Sequence, residues 1–123
     1  GLDAGKLYQT WPLMDGTYFP SDNFLKNLFN FKDPSFVQFL HRNIAYLILI
    51  LSIYSGFFVY KNKIRELYNS YLIFIFFIGI QILLGILVLF SNVDIYLASL
   101  HQISSIFLIV SSLNLYFRTI RSN

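Results

Sequence analysis

The chain has 123 residues, enough for one domain. It is 56% hydrophobic and 12% charged, whereas soluble domains are about 25% charged. This balance excludes an ordinary soluble protein and predicts an integral membrane protein. The absence of cysteine excludes disulfides and thiolate metal sites. The net charge is only +3, and the basic residues are too dispersed for a nucleic-acid-binding patch.

Residues 1–40 are predicted to form a loop on the outer face of the membrane. Three prolines exclude one continuous helix here. Ser21 begins a capping sequence, and apolar residues at helical spacing follow from Phe24 to Phe29, which predicts a short amphipathic helix in the membrane interface. An ordinary loop with anchoring aromatics is the alternative. An interfacial aromatic belt is predicted from four residues: Tyr8, Trp11, Tyr18 and Phe19.

Three long apolar segments follow, at 41–60, 71–90 and 97–117. Each approaches the ~20 residues that a helix needs to span a bilayer. Backbone polar groups must be satisfied within the chain in lipid, so each segment is predicted to be a helix. The fold class is therefore an all-α integral membrane protein with three transmembrane helices.

The charges predict how these spans are oriented. Basic residues concentrate in the connection at 61–66 and in the tail at 118–123, which lie on one side of a three-span chain. The positive-inside rule places both in the cytoplasm or the mitochondrial matrix. Residues 1–40 and the short turn at 91–94 then face the opposite side. A bacterial plasma membrane and a mitochondrial inner membrane fit this topology equally.

The two histidines occupy matching places on the first and third spans. His41 and His101 are the chain's only histidines, each within about one turn of the start of its apolar segment. Both spans start on the same side, so the imidazoles are expected at the same depth. Each is either a polar anchor at the interface or one of two ligands of a single metal. Haem iron accepts two imidazoles, whereas zinc would need more ligands than the chain supplies nearby.

Several neighbours of the histidines are candidates for supporting roles. Arg42 is expected either to pair with a haem propionate or to extend to the interface as a snorkelling side chain. Gln81 lies in the middle of the second span and predicts an interhelical hydrogen bond. Gln38 and Gln102 flank the histidines and could orient an imidazole. Small residues follow each histidine at helical spacing: Ala45, Ser52 and Gly56 in the first span, and Ser105 and Ser112 in the third.

The sequence around these residues resembles that of a known protein family. Four stretches of the chain, in the same order, are similar to the C-terminal part of haem A synthase, a membrane enzyme of cytochrome oxidase assembly. The stretches are Gly1-Leu2-Asp3-Ala4-Gly5 with Trp11-Pro12-Leu13-Met14-Asp15-Gly16; Val37-Gln38-Phe39-Leu40-His41-Arg42 with Ala45-Tyr46; Gln81-Ile82-Leu83-Leu84-Gly85-Ile86; and Leu97-Ala98 with His101-Gln102.

The resemblance implies a larger fold and a reaction. The family has eight transmembrane helices in two similar four-helix halves, and it oxidises a methyl group of haem O to the formyl group of haem A. The C-terminal half is associated with a haem b held by two histidines, which match His41 and His101. The N-terminal half handles haem O and carries the residues closest to the chemistry. The pattern departs at Asp94, where the family usually has proline.

By this resemblance, the chain supplies the end of the fifth helix, the outer loop and helices six to eight. We expect it to be a C-terminal fragment or a split subunit that is incomplete and inactive alone. The missing N-terminal half, or a separate chain that replaces it, is the expected partner. Two other classes stay open: a haem b-binding membrane module for electron transfer without hydroxylase activity, and a structural or assembly protein without a cofactor.

Overall fold

The computed structural model describes residues 4–20 and 29–122. Three α-helices dominate it: α1 (Pro34–Lys61), α2 (Tyr68–Phe90) and α3 (Ile95–Ser122). Short 3-10 turns at Ala4–Lys6 and Arg65–Leu67 complete the regular structure, and no strand occurs in these ranges. All three helices are long and apolar enough to cross a membrane. The prediction of an all-α membrane protein is therefore confirmed.

Helix α1 begins earlier than the apolar segment that predicted it. Asp33 caps the helix, because its carboxylate accepts from the backbone N–H groups of Ser35 at 2.8 Å and Phe36 at 3.4 Å. Pro34 occupies the first turn, where the missing N–H removes no helical hydrogen bond. His41 consequently lies about two turns inside its helix rather than one.

Helix α3 also begins with an aspartate cap. The Asp94 carboxylate accepts from the backbone N–H groups of Tyr96 at 3.0 Å and Leu97 at 3.1 Å. These contacts give Asp94 a structural role at the start of α3. His101 lies about two turns further along α3. The two histidines are thus at matching depth, as predicted, although each is a turn deeper in its helix than the apolar segments indicated.

We expect the Asp94→Ala variant to lose about 1 kcal/mol of unfolding free energy, because two backbone donors at the start of α3 lose their acceptor. Thermal unfolding in detergent measures this change. Asp94→Asn keeps a side-chain oxygen at the cap, so it should retain most of the stability. Equal stability of the Ala variant and the unsubstituted protein would show that the cap contributes nothing.

The helices do not pack equally against one another. Helix α2 packs along α3 and also contacts α1, whereas no Cα atom of α1 lies within 8 Å of one in α3. The two histidine-bearing helices are therefore held by α2 and leave a gap between them. The outward faces of all three helices carry exposed leucine, isoleucine and phenylalanine side chains, as expected for surfaces that contact lipid.

Residues 4–20 lie at the end of the bundle where α1 starts. Gln9 donates through Nε2 to Oδ1 of Asn92 in the α2–α3 turn at 2.6 Å, which ties this loop to the outer ends of the other helices. Trp11, Tyr18 and Phe19 are exposed there, as an aromatic belt requires. Tyr8 is only 3% exposed, so its assignment to the belt was wrong.

The predicted amphipathic helix from Ser21 onward lies outside the described residues, except for Phe29. Phe29 occupies a turn and is 74% exposed. The segment 118–123, predicted as an inner tail, continues α3 as far as Ser122. The predicted spans 41–60, 71–90 and 97–117 each lie inside one of the three helices.

Candidate functional site

The two histidine rings meet across the gap between α1 and α3. The ring centroids of His41 and His101 are 6.3 Å apart, and the ring planes are inclined by 70°. His101 is half-buried, whereas His41 is exposed. No Cα atom of α1 lies within 8 Å of one in α3, so the two side chains approach each other from helices whose backbones are apart. The structure thus brings together the two residues that the sequence singled out.

The spacing of the rings fits a shared metal. Two imidazoles that bind one metal from opposite sides each place a nitrogen about 2 Å from it, with the ring centre about 1 Å further away, so the centres are about 6 Å apart. His41 and His101 have this separation. The described residues contain no group of three or more His, Cys, Asp or Glu that could hold a metal. A metal that brings its own equatorial ligands, such as haem iron, therefore suits the site better than zinc.

A glutamine on α2 contacts His101 directly. The Nε2 atom of Gln81 lies 3.3 Å from Nε2 of the His101 ring and donates to the His101 carbonyl at 3.2 Å. The Ser104 hydroxyl donates to Oε1 of the same amide. The predicted interhelical hydrogen bond of Gln81 is therefore confirmed. Its partner was not predicted, because the sequence does not give the register between α2 and α3.

One turn beyond Gln81, Gly85 makes room for the His101 ring. A Cβ atom at Gly85 would lie 3.3 Å from Cε1 of His101, tighter than an ordinary van der Waals contact. The imidazole thus packs on α2 beside a residue without a side chain. Its Nδ1 atom is buried and has no hydrogen-bond partner. A buried polar atom without a hydrogen-bond partner costs free energy, so its presence needs a physical explanation.

Arg42 holds the N-terminal loop on α1. Its Nη1 atom donates to the carbonyl of Thr10 at 2.9 Å and of Leu13 at 3.2 Å, and Nη2 donates to the carbonyl of Tyr8 at 2.8 Å. The side chain is only 7% exposed, so it is not a snorkelling arginine at the surface. Its Nε–H is buried without a partner, as is the hydroxyl of Tyr46 one turn later. The pairing of Arg42 with a propionate stays a prediction.

The two glutamines predicted to orient a histidine, Gln38 and Gln102, do not do so. Gln38 is buried and binds the Tyr8 backbone, accepting from its N–H at 3.2 Å and donating to its carbonyl at 2.9 Å. Gln102 is exposed on α3. Gln102 directly follows His101 and so points about 100° away from it, whereas the amide of Gln38 is occupied by the Tyr8 backbone.

The predicted small-residue stripe is buried only in its second half on α1, and it is shifted by one residue on α3. Ser52 and Gly56 are buried, whereas the most buried serines of α3 are Ser104 and Ser111 rather than Ser105 and Ser112. Ser104 lies three residues after His101, so it is on the same face of the helix. This one-residue shift places a hydroxyl next to Gln81 and His101.

The chain matches known proteins over nearly its whole length. Residues 1–113 match the family model of the cytochrome oxidase assembly protein COX15-CtaA. The chain belongs to the COX15-CtaA family. It is 41% identical to the heme A synthase of Pelagibacter ubique over 128 residues, which cover all of this chain and 36% of that protein. No solved structure matches it.

Two further relatives match this chain with similar identity and coverage. The chain is 45% identical to the heme A synthase of Bartonella tribocorum over 107 residues and 38% identical to that of Brucella ovis over 108 residues. Each alignment covers 83% of this chain and 30% of the relative. The chain thus spans about a third of the length of the curated heme A synthases that it matches.

Proposed function

We propose that this chain forms the haem b-binding, C-terminal portion of a haem A synthase. In this proposal His41 and His101 are the axial ligands of the haem iron, near the outer surface of a bacterial plasma membrane or mitochondrial inner membrane. The observation that carries the proposal is the 6.3 Å separation of the two rings across the gap between α1 and α3. Membership of a family that includes heme A synthases supports it.

The residues around the rings suit a haem. Neutral imidazole is a common axial ligand of haem iron, and bound haem supplies one-electron redox chemistry. The backbones of α1 and α3 are not in close contact, and the apolar side chains of the helices would surround a bound haem. Arg42 has a buried Nε–H that is not used by the loop, and we propose that it pairs with a haem propionate.

In the complete enzyme, we propose, haem O is the substrate, and its methyl group is oxidised to the formyl group of haem A. The described residues contribute ligands and a scaffold to this reaction. The groups that act on haem O are proposed to lie in an N-terminal four-helix half, on this polypeptide or another.

Substituting either ligand tests the proposal. In the detergent-purified full-length gene product, we expect His41→Ala and His101→Ala each to lower the haem b content by one haem per chain. A reduced-minus-oxidised absorption spectrum and a pyridine haemochrome assay measure this change. Gln102→Ala alters an exposed neighbour of His101 and should retain the haem. An unchanged spectrum in both histidine variants would refute the assignment of the ligands.

A second measurement separates the enzyme from a haem module for electron transfer. Cells that lack the gene should lose haem A from their membranes and regain it only with a gene that retains both histidines. Normal haem A in the deletion strain would refute a role in haem A synthesis, even if the purified protein holds haem b. Folded protein without haem would favour a structural or assembly role.

A further inference from the structure

Both polar atoms of the Gln81 side chain form contacts with helix α3. Its amide nitrogen faces two acceptors, the Nε2 atom of His101 at 3.3 Å and the His101 carbonyl at 3.2 Å. Its amide oxygen accepts from the Ser104 hydroxyl. Because α2 packs along α3, these contacts occur in the best-packed part of the bundle. The Gln81 side chain thus contacts the ring of His101, the backbone of His101 and Ser104 in the next turn of α3. His101 is the residue proposed as an iron ligand.

The network fixes the direction of its hydrogen bonds. An amide nitrogen can only donate, so Nε2 of His101 accepts and carries the lone pair of the neutral ring. The opposite amide orientation would place Oε1 beside the His101 carbonyl, bringing two acceptors together. The Ser104 hydroxyl can also donate to the His101 carbonyl at 2.9 Å, so the repulsion at that carbonyl is what disfavours the opposite orientation. The orientation with the nitrogen toward His101 satisfies every group of Gln81.

We propose that Gln81 is a positioning residue that keeps His101 in the tautomer and ring orientation required for metal binding. The ring proton is then on Nδ1, and the lone pair on Nε2 accepts from the Gln81 amide nitrogen. A metal would take this lone pair in place of that contact, whereas the bonds of Gln81 with the His101 carbonyl and the Ser104 hydroxyl do not use it and would hold the amide beside the ring. Gly85 supports the same orientation by leaving space beside Cε1. The inference deepens the proposed function and rests on it.

Two substitutions of equal size separate hydrogen bonding from packing. Gln81→Met removes the amide that anchors the His101 turn of α3 on α2, and haem b should then bind about tenfold more weakly, a typical effect of losing a group that orients a metal ligand. Gln81→Glu keeps the shape but offers an acceptor, which favours a proton on Nε2, so haem binding should weaken as well. Gln102→Met removes an exposed amide from α3 and should leave the affinity unchanged.

The decisive experiment has one readout with haem and one without it. Haem b is titrated into the haem-depleted full-length gene product, and the midpoint potential and low-spin electron paramagnetic resonance signal are recorded. In the haem-free protein, nitrogen-15 resonance of labelled histidine reports the tautomer of His101, assigned by its loss in His101→Ala. We expect the Nδ1–H tautomer in the unsubstituted protein and a mixture in Gln81→Met.

The outcomes distinguish this inference from the proposed function. If His101→Ala retains the haem, the proposed function fails, whereas the tautomer measurement still tests Gln81. If His101→Ala loses the haem but Gln81→Met keeps the affinity, the potential and a single tautomer, only the inference about Gln81 is overturned. Should Gln81→Met fail to fold, Ser104→Ala removes the hydroxyl that holds the amide, and a smaller change in the same direction is expected.

Discussion

Replacing Arg42 with methionine should release the N-terminal loop from α1 and lower the unfolding free energy by about 3 kcal/mol, because three backbone carbonyls lose a charged donor. The Tyr8 carbonyl keeps its bond from Gln38, whereas those of Thr10 and Leu13 lose their bonds from Arg42. Thermal unfolding in detergent and limited proteolysis within residues 4–20 measure the two effects.

Matched variants show whether the guanidinium itself is required. Arg42→Lys keeps the charge but not the planar fork that reaches three carbonyls, so its stability should be intermediate. Arg118→Met removes an exposed arginine from α3 and should change little. If Arg42→Met were as stable and as resistant to protease as the unsubstituted protein, the loop would be held by other contacts.

Gln38→Leu separates the two roles proposed for Arg42. Gln38 also anchors the loop through the Tyr8 backbone, but it carries no charge. If Arg42 only anchors the loop, both variants should retain full haem affinity. If Arg42 also pairs with a propionate, haem affinity should fall in Arg42→Met and stay unchanged in Gln38→Leu.

The sequence alone predicted the features that depend on single segments. Three apolar runs long enough for a bilayer can only be helices in lipid, and two histidines at equivalent places in the first and third must lie at similar depth. The short turn between α2 and α3 makes these helices antiparallel neighbours. The approach of the His41 and His101 rings to 6.3 Å depends in addition on how α1 and α3 are arranged around α2.

Contacts between helices could not be predicted in the same way. Whether Gln81 faces His101 or Ser104 faces Gln81 depends on the rotation of each helix about its axis, which a run of leucine and isoleucine leaves undefined. Rotating α3 about its axis by about 100° would place Ser105, rather than Ser104, against α2. Gln38 was misassigned for a related reason, since its partner Tyr8 is distant in sequence and belongs to an irregular loop.

The contact between α1 and α2 depends on a glycine. A Cβ atom at Gly56 would overlap the hydroxyl oxygen and Cζ of Tyr71, far inside van der Waals contact. Tyr71 is 6% exposed, and its hydroxyl donates to the Ser52 carbonyl at 2.8 Å. The ring therefore cannot move aside without losing this hydrogen bond and its packing.

Gly56→Ala should accordingly lower the unfolding free energy by about 3 kcal/mol, through overpacking and loss of the tyrosine hydrogen bond. Gly79→Ala provides a matched control on α2, because a Cβ atom there meets nothing within 4 Å. It should be neutral or slightly stabilising, since alanine favours helix over glycine. Equal stability of the two alanine variants would contradict the proposed close approach of α1 and α2.

A double substitution tests whether the clash with Tyr71 causes the loss of stability in Gly56→Ala. Haem binding by the same variants tests whether the clash also affects the histidine pair. Tyr71→Leu removes the ring that the new methyl group would strike, so Gly56→Ala should cost much less in that background. Because α1 and α3 are joined through α2, pushing α1 away from α2 also moves His41 relative to His101. Gly56→Ala should therefore weaken haem binding from four turns away, while Gly79→Ala should not. Unchanged haem affinity in a destabilised Gly56→Ala protein would show that the histidine spacing does not depend on this contact.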